Sequence, residues 1–134
     1  MSLLVDTSVW SLALRRDRPA DVPEVARLGQ AIERGDSILT TGLILQELLQ
    51  GFSGPTAQQQ IVERFSAFPL LEPERRDHID AAELRNACRR GGVQVGTIDA
   101  LIAQLCRRHE LMLLTTDRDF HHIAGILPLA VWTP

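Results

Sequence analysis

The sequence predicts an α/β fold, a three-layer α/β/α sandwich around a central parallel sheet, on three observations. Short apolar runs alternate with longer segments of helical periodicity. Glycines and prolines punctuate the joints between them. The chain has 134 residues, 45% of them hydrophobic, enough for one core with little left for a second, so a single domain over residues 1–134 is expected. Strands separated by helices pair in parallel through right-handed crossovers.

In chain order, Ser2 to Asp6 reads as a brief buried strand, followed by a first helix that opens at Thr7-Ser8-Val9-Trp10. Arg16 to Pro23 is a polar loop, too short to divide domains. Val25, Leu28 and Ile32 recur at helical spacing up to Gly35, and Ser37 to Thr40 forms the second strand. An apolar helix over Leu43 to Leu49 stops at Gly51. Beyond Pro55, Ile61, Val62, Phe65 and Phe68 share a helical face before Pro69, and Leu70-Leu71 is a minimal strand. The helix carrying Cys88 stops at Gly91-Gly92. Ile98, Leu101, Ile102 and Leu105 mark another, Leu111 to Thr115 a strand, Phe120 and Ile123 a short helix, and Pro128 to Val131 a closing strand.

Composition narrows the class. No apolar run reaches the roughly 18 residues of a membrane span, and Met1 to Asp6 lacks the basic start of a signal peptide. A soluble, cytoplasmic protein without membrane association is expected. Cys88 and Cys106 lie far apart with no partner at metal-ligand spacing, so they read as buried thiols. A net charge of -3 argues against a passive nucleic-acid binder but leaves a nuclease open. All 14 basic residues are Arg, whose planar fork suits phosphate, although genomic base composition produces the same bias. The pairs Arg15-Arg16, Arg89-Arg90 and Arg107-Arg108 also suit helix C-termini, where the dipole favours cations.

Four acids stand where an isolated carboxylate is costly: Asp6 after Leu3-Leu4-Val5, Glu47 inside Leu43 to Leu49, Asp99 within Ile98 to Ile102, and Asp117 after Leu113-Leu114-Thr115-Thr116. A desolvated carboxylate takes up a proton or finds a cation. In an open parallel sheet, ligands gather beyond the carboxyl ends of the strands, where Asp6 and Asp117 are expected as neighbours. Glu47 and Asp99 approach that edge from helices.

Each acid has a structural alternative. Asp6 and Asp117 suit N-caps of the helices that follow them, and Asp99 suits a first-turn acid behind a Thr97 cap. Glu47 shares a helix face with Leu43 and Ile44, which argues against a solvated position; its alternative is a partly exposed site at a helix end. Ser8 and Thr115 bring hydroxyls beside the expected pocket, where they suit the orienting of carboxylates or water. Neither has a sequence-adjacent base to make it a nucleophile. Asp119 suits a further metal contact or a solvated first-turn acid equally, and His121-His122 reads as a surface pair.

Leu4-Val5-Asp6-Thr7-Ser8-Val9-Trp10, Gln46-Glu47-Leu48-Leu49-Gln50-Gly51, Thr97-Ile98-Asp99-Ala100-Leu101-Ile102-Ala103 and Leu114-Thr115-Thr116-Asp117-Arg118-Asp119-Phe120 resemble, in order and spacing, the motifs of PIN-domain ribonucleases, most closely the VapC-type toxins of bacterial toxin-antitoxin pairs. The resemblance spans nearly the whole chain. It implies that Asp6, Glu47, Asp99 and Asp117 are the metal-binding and catalytic acids, with Asp119 accessory and Ser8 and Thr115 supporting. Carboxylate ligands without Cys or paired His favour Mg²⁺ or Mn²⁺, as one or two ions. The implied reaction is metal-assisted hydrolysis of an RNA phosphodiester, in tRNA or ribosomal RNA, leaving a 5′-phosphate and a 3′-hydroxyl with no covalent intermediate.

The resemblance further implies a cognate antitoxin and a homodimer. Trp10 and Leu14, four apart on the first helix, are expected to border a groove for an antitoxin helix. Arg118 and the Arg89-Arg90 pair are expected as RNA contacts if they lie beside the acids. Two other readings are a PIN nuclease of RNA processing without an antitoxin, and a non-catalytic partner-binding module that retains the acids for folding. An Asp-x-Asp phosphatase is disfavoured, because Thr7-Ser8 follow Asp6.

Overall fold

The computed structural model describes residues 1–15 and 17–134; Arg16, and with it the Arg15-Arg16 pair and the start of the Arg16 to Pro23 loop, lies outside them. Four strands, β1 (Leu3–Val5), β2 (Ile38–Thr41), β3 (Leu70–Leu71) and β4 (Met112–Leu114), form a parallel sheet in the order β3-β2-β1-β4. Seven helices among the described residues complete an α/β/α sandwich: α1 (Thr7–Ala13), α2 (Pro23–Arg34), α3 (Gly42–Gly51), α4 (Pro55–Phe65), α5 (Arg75–Arg90), α6 (Thr97–Arg108) and α7 (Arg118–Ala124). Among the described residues no helix is long and apolar enough to cross a membrane.

The strand order follows from burial. All three residues of β1 are buried, as a central strand flanked on both edges must be, and Leu3-Leu4-Val5 pair with Met112-Leu113-Leu114 of β4 in register. Crossing from β1 through β2 to β3 the sheet grows one way, then returns to the other edge of β1 with β4. The carboxyl ends of β1 and β4 therefore flank the point where strand order reverses, which is where an open α/β sheet leaves a crevice.

Local signals set several helix ends. Pro23 and Pro55 occupy first helical positions, and Gly35 closes α2 at φ 70, a left-handed conformation that glycine adopts without a Cβ penalty. Helix α5 opens on a reciprocal capping box between Glu74 and Asp77.

The structure corrects several expectations. Ile32, Val62 and Ile98 are exposed despite fitting the helical repeat, and Ala31 takes the inward place expected for Ile32. Three apolar positions per two turns suffice for one face, so a fourth falls on its rim. Pro128 to Val131 is no strand: Val131 alone bridges Leu113, through bonds from Leu113 N–H to the Ala130 carbonyl and from Trp132 N–H to the Leu113 carbonyl. Proline offers no amide to extend that ladder. Gly96, rather than Thr97, is the cap residue of α6.

Trp10, expected to border a partner groove, is wholly buried. Its ring centroid lies 4.9 Å from that of Phe65 and 5.5 Å from that of Phe68, an aromatic cluster that fastens α1 to α4 and the turn after it. A side chain of this size buried among two aromatic rings favours the inward orientation over the expected groove border. Leu14, one turn on, is half-buried and lines a separate hollow of about 610 Å³ with Phe52, Pro55 and Ala57.

Candidate metal centre

Asp6 follows β1 directly, and its backbone N–H donates to the Leu114 carbonyl at 2.9 Å, which fixes the ends of β1 and β4 side by side. It stands at the cap position of α1 without making a side-chain cap bond. Its Oδ2 instead accepts the Ser8 hydroxyl at 2.8 Å and the Thr115 hydroxyl at 2.9 Å. Each hydroxyl in turn accepts a backbone amide from the turn after β4: Ser8 Oγ that of Thr116 at 3.1 Å, Thr115 Oγ1 that of Asp117 at 3.0 Å. An oxygen that accepts an N–H has its own proton free to donate, so both protons are directed at Asp6. The carboxylate is buried and aimed by this network.

Asp117 caps α7 and belongs to the acid cluster at once. Its Oδ1 accepts the Asp119 amide at 2.9 Å, yet carboxylate oxygens of Asp99, Asp117 and Asp119 all lie within 4.8 Å of one another. Asp99, half-buried in the first turn of α6, sits at the centre of the charge. Burial first, then the neighbouring Asp6, Asp117, Asp119 and Glu47, push its carboxyl up to about 6. All four sequence-identified acids and Asp119 thus meet electrostatically around Asp99.

Glu47 corrects its expectation. It is exposed on α3, because Ile44 and Leu48 carry the inward face and Gln46, Glu47 and Gln50 form an outward stripe. The Thr7 hydroxyl donates to Glu47 Oε1 at 3.2 Å and draws it to the rim of the crevice. Thr7 had no sequence signal, since its partner lies 40 residues away. Cys106, buried near Asp6, has its thiol pushed up to about 12 by burial and then by that carboxylate, and Cys88 is also free and buried. Burial favours the protonated form of both thiols, the less reactive one.

The arginines separate by position. Arg118 lines a hollow with Thr115, Thr116, Glu24, His121 and His122 on one flank of the acids, and Arg89 lines another together with Asp119. Arg90 lines a different hollow, among Asp80, Glu83, Arg107 and Arg108, because successive helix positions diverge by about 100°. The expected Arg89-Arg90 pair is therefore not one contact.

The donor set is carboxylate oxygen alone, which suits a hard divalent ion. Oxygens about 2.1 Å from a shared ion stand at most about 4.2 Å apart, so three within 4.8 Å need only a small contraction to share one. The residues present fit such an ion.

Comparison with known proteins gives a matching context. Residues 3–126 match the PIN domain family. Among solved structures, FitAcB from Neisseria gonorrhoeae is similar with a TM-score of 0.71 at 20% identity, covering 98% of this chain and 97% of that one. VapBC-1 from nontypeable Haemophilus influenzae is similar with a TM-score of 0.75 at 17% identity over 98% and 97% of the two chains. VapC20 from Mycobacterium tuberculosis, a toxin that cleaves the sarcin-ricin loop, is similar with a TM-score of 0.68 at 17% identity over 96% and 98%.

Proposed function

Because the chain belongs to the PIN domain family, we propose that it is a VapC-like endoribonuclease toxin that hydrolyses a phosphodiester of cellular RNA with Mg²⁺ or Mn²⁺ and is held in check by a cognate antitoxin. The observation that carries this reading is the convergence of carboxylates at the strand-order reversal, with Asp99 surrounded by Asp6, Asp117, Asp119 and Glu47. So many negative charges in one crevice repel the polyanion they are to cut. When bound, a divalent ion would supply the compensating charge, lower the pKa of the attacking water and stabilise charge on the phosphate.

The chain's own residues divide the remaining work. Asp6, fixed by Ser8 and Thr115, and Asp99, Asp117 and Asp119 form the carboxylate cradle, which Glu47 completes from the rim under the hold of Thr7. Arg118, with His121 and His122, offers hydrogen-bond donors to the strand on one flank. The similarity to a toxin-antitoxin complex from Klebsiella pneumoniae supports an antitoxin partner, and Leu14 in its hollow with Phe52 and Pro55 is the contact we assign to it. A cytoplasmic homodimer completes the proposal.

The deciding experiment is RNA cleavage by purified protein with Mn²⁺, with Mg²⁺ and with chelator, read by mapping 5′ ends across total RNA. Wild type cuts at discrete sites only with metal, and Asp99→Asn, folded by circular dichroism, loses about a hundredfold or more of the rate. Undiminished cutting in chelator, or by Asp99→Asn, removes the metal-assisted mechanism.

A further inference from the structure

We propose that the hollow walled by Arg85 and Arg89 binds a phosphate of the substrate strand adjacent to the one that is cut, an assignment that rests on the ribonuclease reading above. The hollow measures about 740 Å³ and is lined by Arg85, Arg89, Gln94, Val95, Gly96 and Asp119. Asp119 belongs to both places, since its carboxylate lies within 4.8 Å of those of Asp99 and Asp117. A strand whose scissile phosphate sits at the acids therefore enters this hollow with its next backbone unit.

The two guanidiniums are suited to receive it. Arg85 Nε donates to the Val95 carbonyl at 2.8 Å, which steadies its plane against the loop before α6 and leaves its two terminal nitrogens to bond elsewhere. Among the described residues, neither Arg85 nor Arg89 forms an ion pair with a carboxylate, whereas Arg108 is committed to Asp77 and Arg76 to Asp80. The amino end of the twelve-residue α6 opens at the same hollow through Gly96, with no side chain bonded in the cap, and its free amides add to the positive field. A chain of net charge -3 with five acids at its crevice needs such a local reversal of sign to hold a polyanion. Arg90 supplies a control, being next in sequence but lining the other hollow with Asp80 and Glu83.

The test uses a single-stranded RNA oligonucleotide spanning a mapped cut site, bound to the cleavage-deficient Asp99→Asn protein over a range of salt. Replacing both Arg85→Ala and Arg89→Ala lowers affinity about tenfold or more and flattens the slope of log affinity against log salt by about one, while Arg90→Ala changes neither. In the active background the same double variant raises KM with little change in kcat, and its Mn²⁺ affinity by calorimetry is that of wild type. An oligonucleotide neutralised by a methylphosphonate beside the cut site binds wild type more weakly than its parent but costs the double variant nothing further. Unchanged affinity and slope in the double variant overturn the proposal, as does an equal loss in Arg90→Ala, which marks a bulk charge effect. So does loss of affinity only for an acidic partner peptide. If wild type cuts RNA and the double variant cuts it with the same KM, this assignment alone falls; if wild type neither binds nor cuts RNA, the ribonuclease reading falls with it.

Discussion

Asp99 concentrates the physics of the site in one side chain. Its ordinary carboxyl value of 3.8 is pushed up to about 6, by burial and then by Asp6, Asp117, Asp119 and Glu47. The folded chain therefore holds a proton between about pH 4 and pH 6 that the unfolded chain releases, so the stability tied to this group is present below about 4 and is lost as pH rises through about 6. In chelator, Asp99→Asn is expected to melt higher than wild type near neutral pH, with the advantage shrinking toward about pH 4. Melting curves at several pH values measure it, and an advantage independent of pH contradicts the clustered-charge account. The settings of Asp6 and Asp99 are legible in the sequence because apolar residues abut both, and that of Asp117 because it follows an apolar strand by two threonines. Glu47 was read as buried for the same reason and is exposed, since neighbours in sequence are not neighbours in space on a helix.

Among elements, the join between α5 and α6 rests on a pair that no local sequence pattern signals, its members being 31 positions apart. Asp77 is wholly buried in the first turn of α5; Arg108, last residue of α6, donates to its two oxygens at 2.6 and 2.8 Å, and the Glu74 amide donates at 2.8 Å. Burial opposes ionisation, but the Glu74 amide and the Arg108 guanidinium outweigh it and hold the carboxyl below its ordinary value. Stability from Asp77 is thus present above about pH 4 and is lost as pH falls through its depressed value. Asp77→Ala is expected to cost about 2 to 4 kcal/mol in denaturant unfolding near neutral pH, reduced from the fully buried case because Arg108 keeps contact with water. A loss under about 0.5 kcal/mol refutes a structural role for the pair. The helices themselves were legible from period and punctuation. Their inward faces were less so: Trp10 packs on Phe65 and Phe68, a meeting of distant segments that no local period encodes.

For the molecule as a whole, metal and fold should be linked. The acids come from the ends of two strands and the starts of two helices, with Glu47 reaching in from a third, so an ion that binds only the assembled crevice favours the folded state. Mn²⁺ at a hundredfold over its dissociation constant is expected to add about 2.7 kcal/mol, a rise of several degrees in the melting temperature, and Asp99→Asn to reduce that gain. The absence of any shift at metal concentrations that support cleavage contradicts a shared site. The α/β alternation and the placing of acids beyond strand ends were readable from sequence, whereas the order β3-β2-β1-β4 was not. Four apolar strands look alike to a periodicity argument, and only their packing distinguishes centre from edge.

The adjacency of β1 and β4 has a consequence for biosynthesis. Asp6 and Thr115, bonded at 2.9 Å, are separated by 109 positions, so all of that intervening stretch must leave the ribosome before they meet. Until β4 arrives, β1 has one open edge, Asp6 lacks the Leu114 carbonyl and the Thr115 hydroxyl, and Asp117 has no place beside Asp99. Closing so long a loop is also a slow step. A chain interrupted just before its fourth strand carries Asp6, Glu47 and Asp99 but neither Asp117 nor Asp119, so the carboxylate crevice assembles only once β4 and the turn after it have been made.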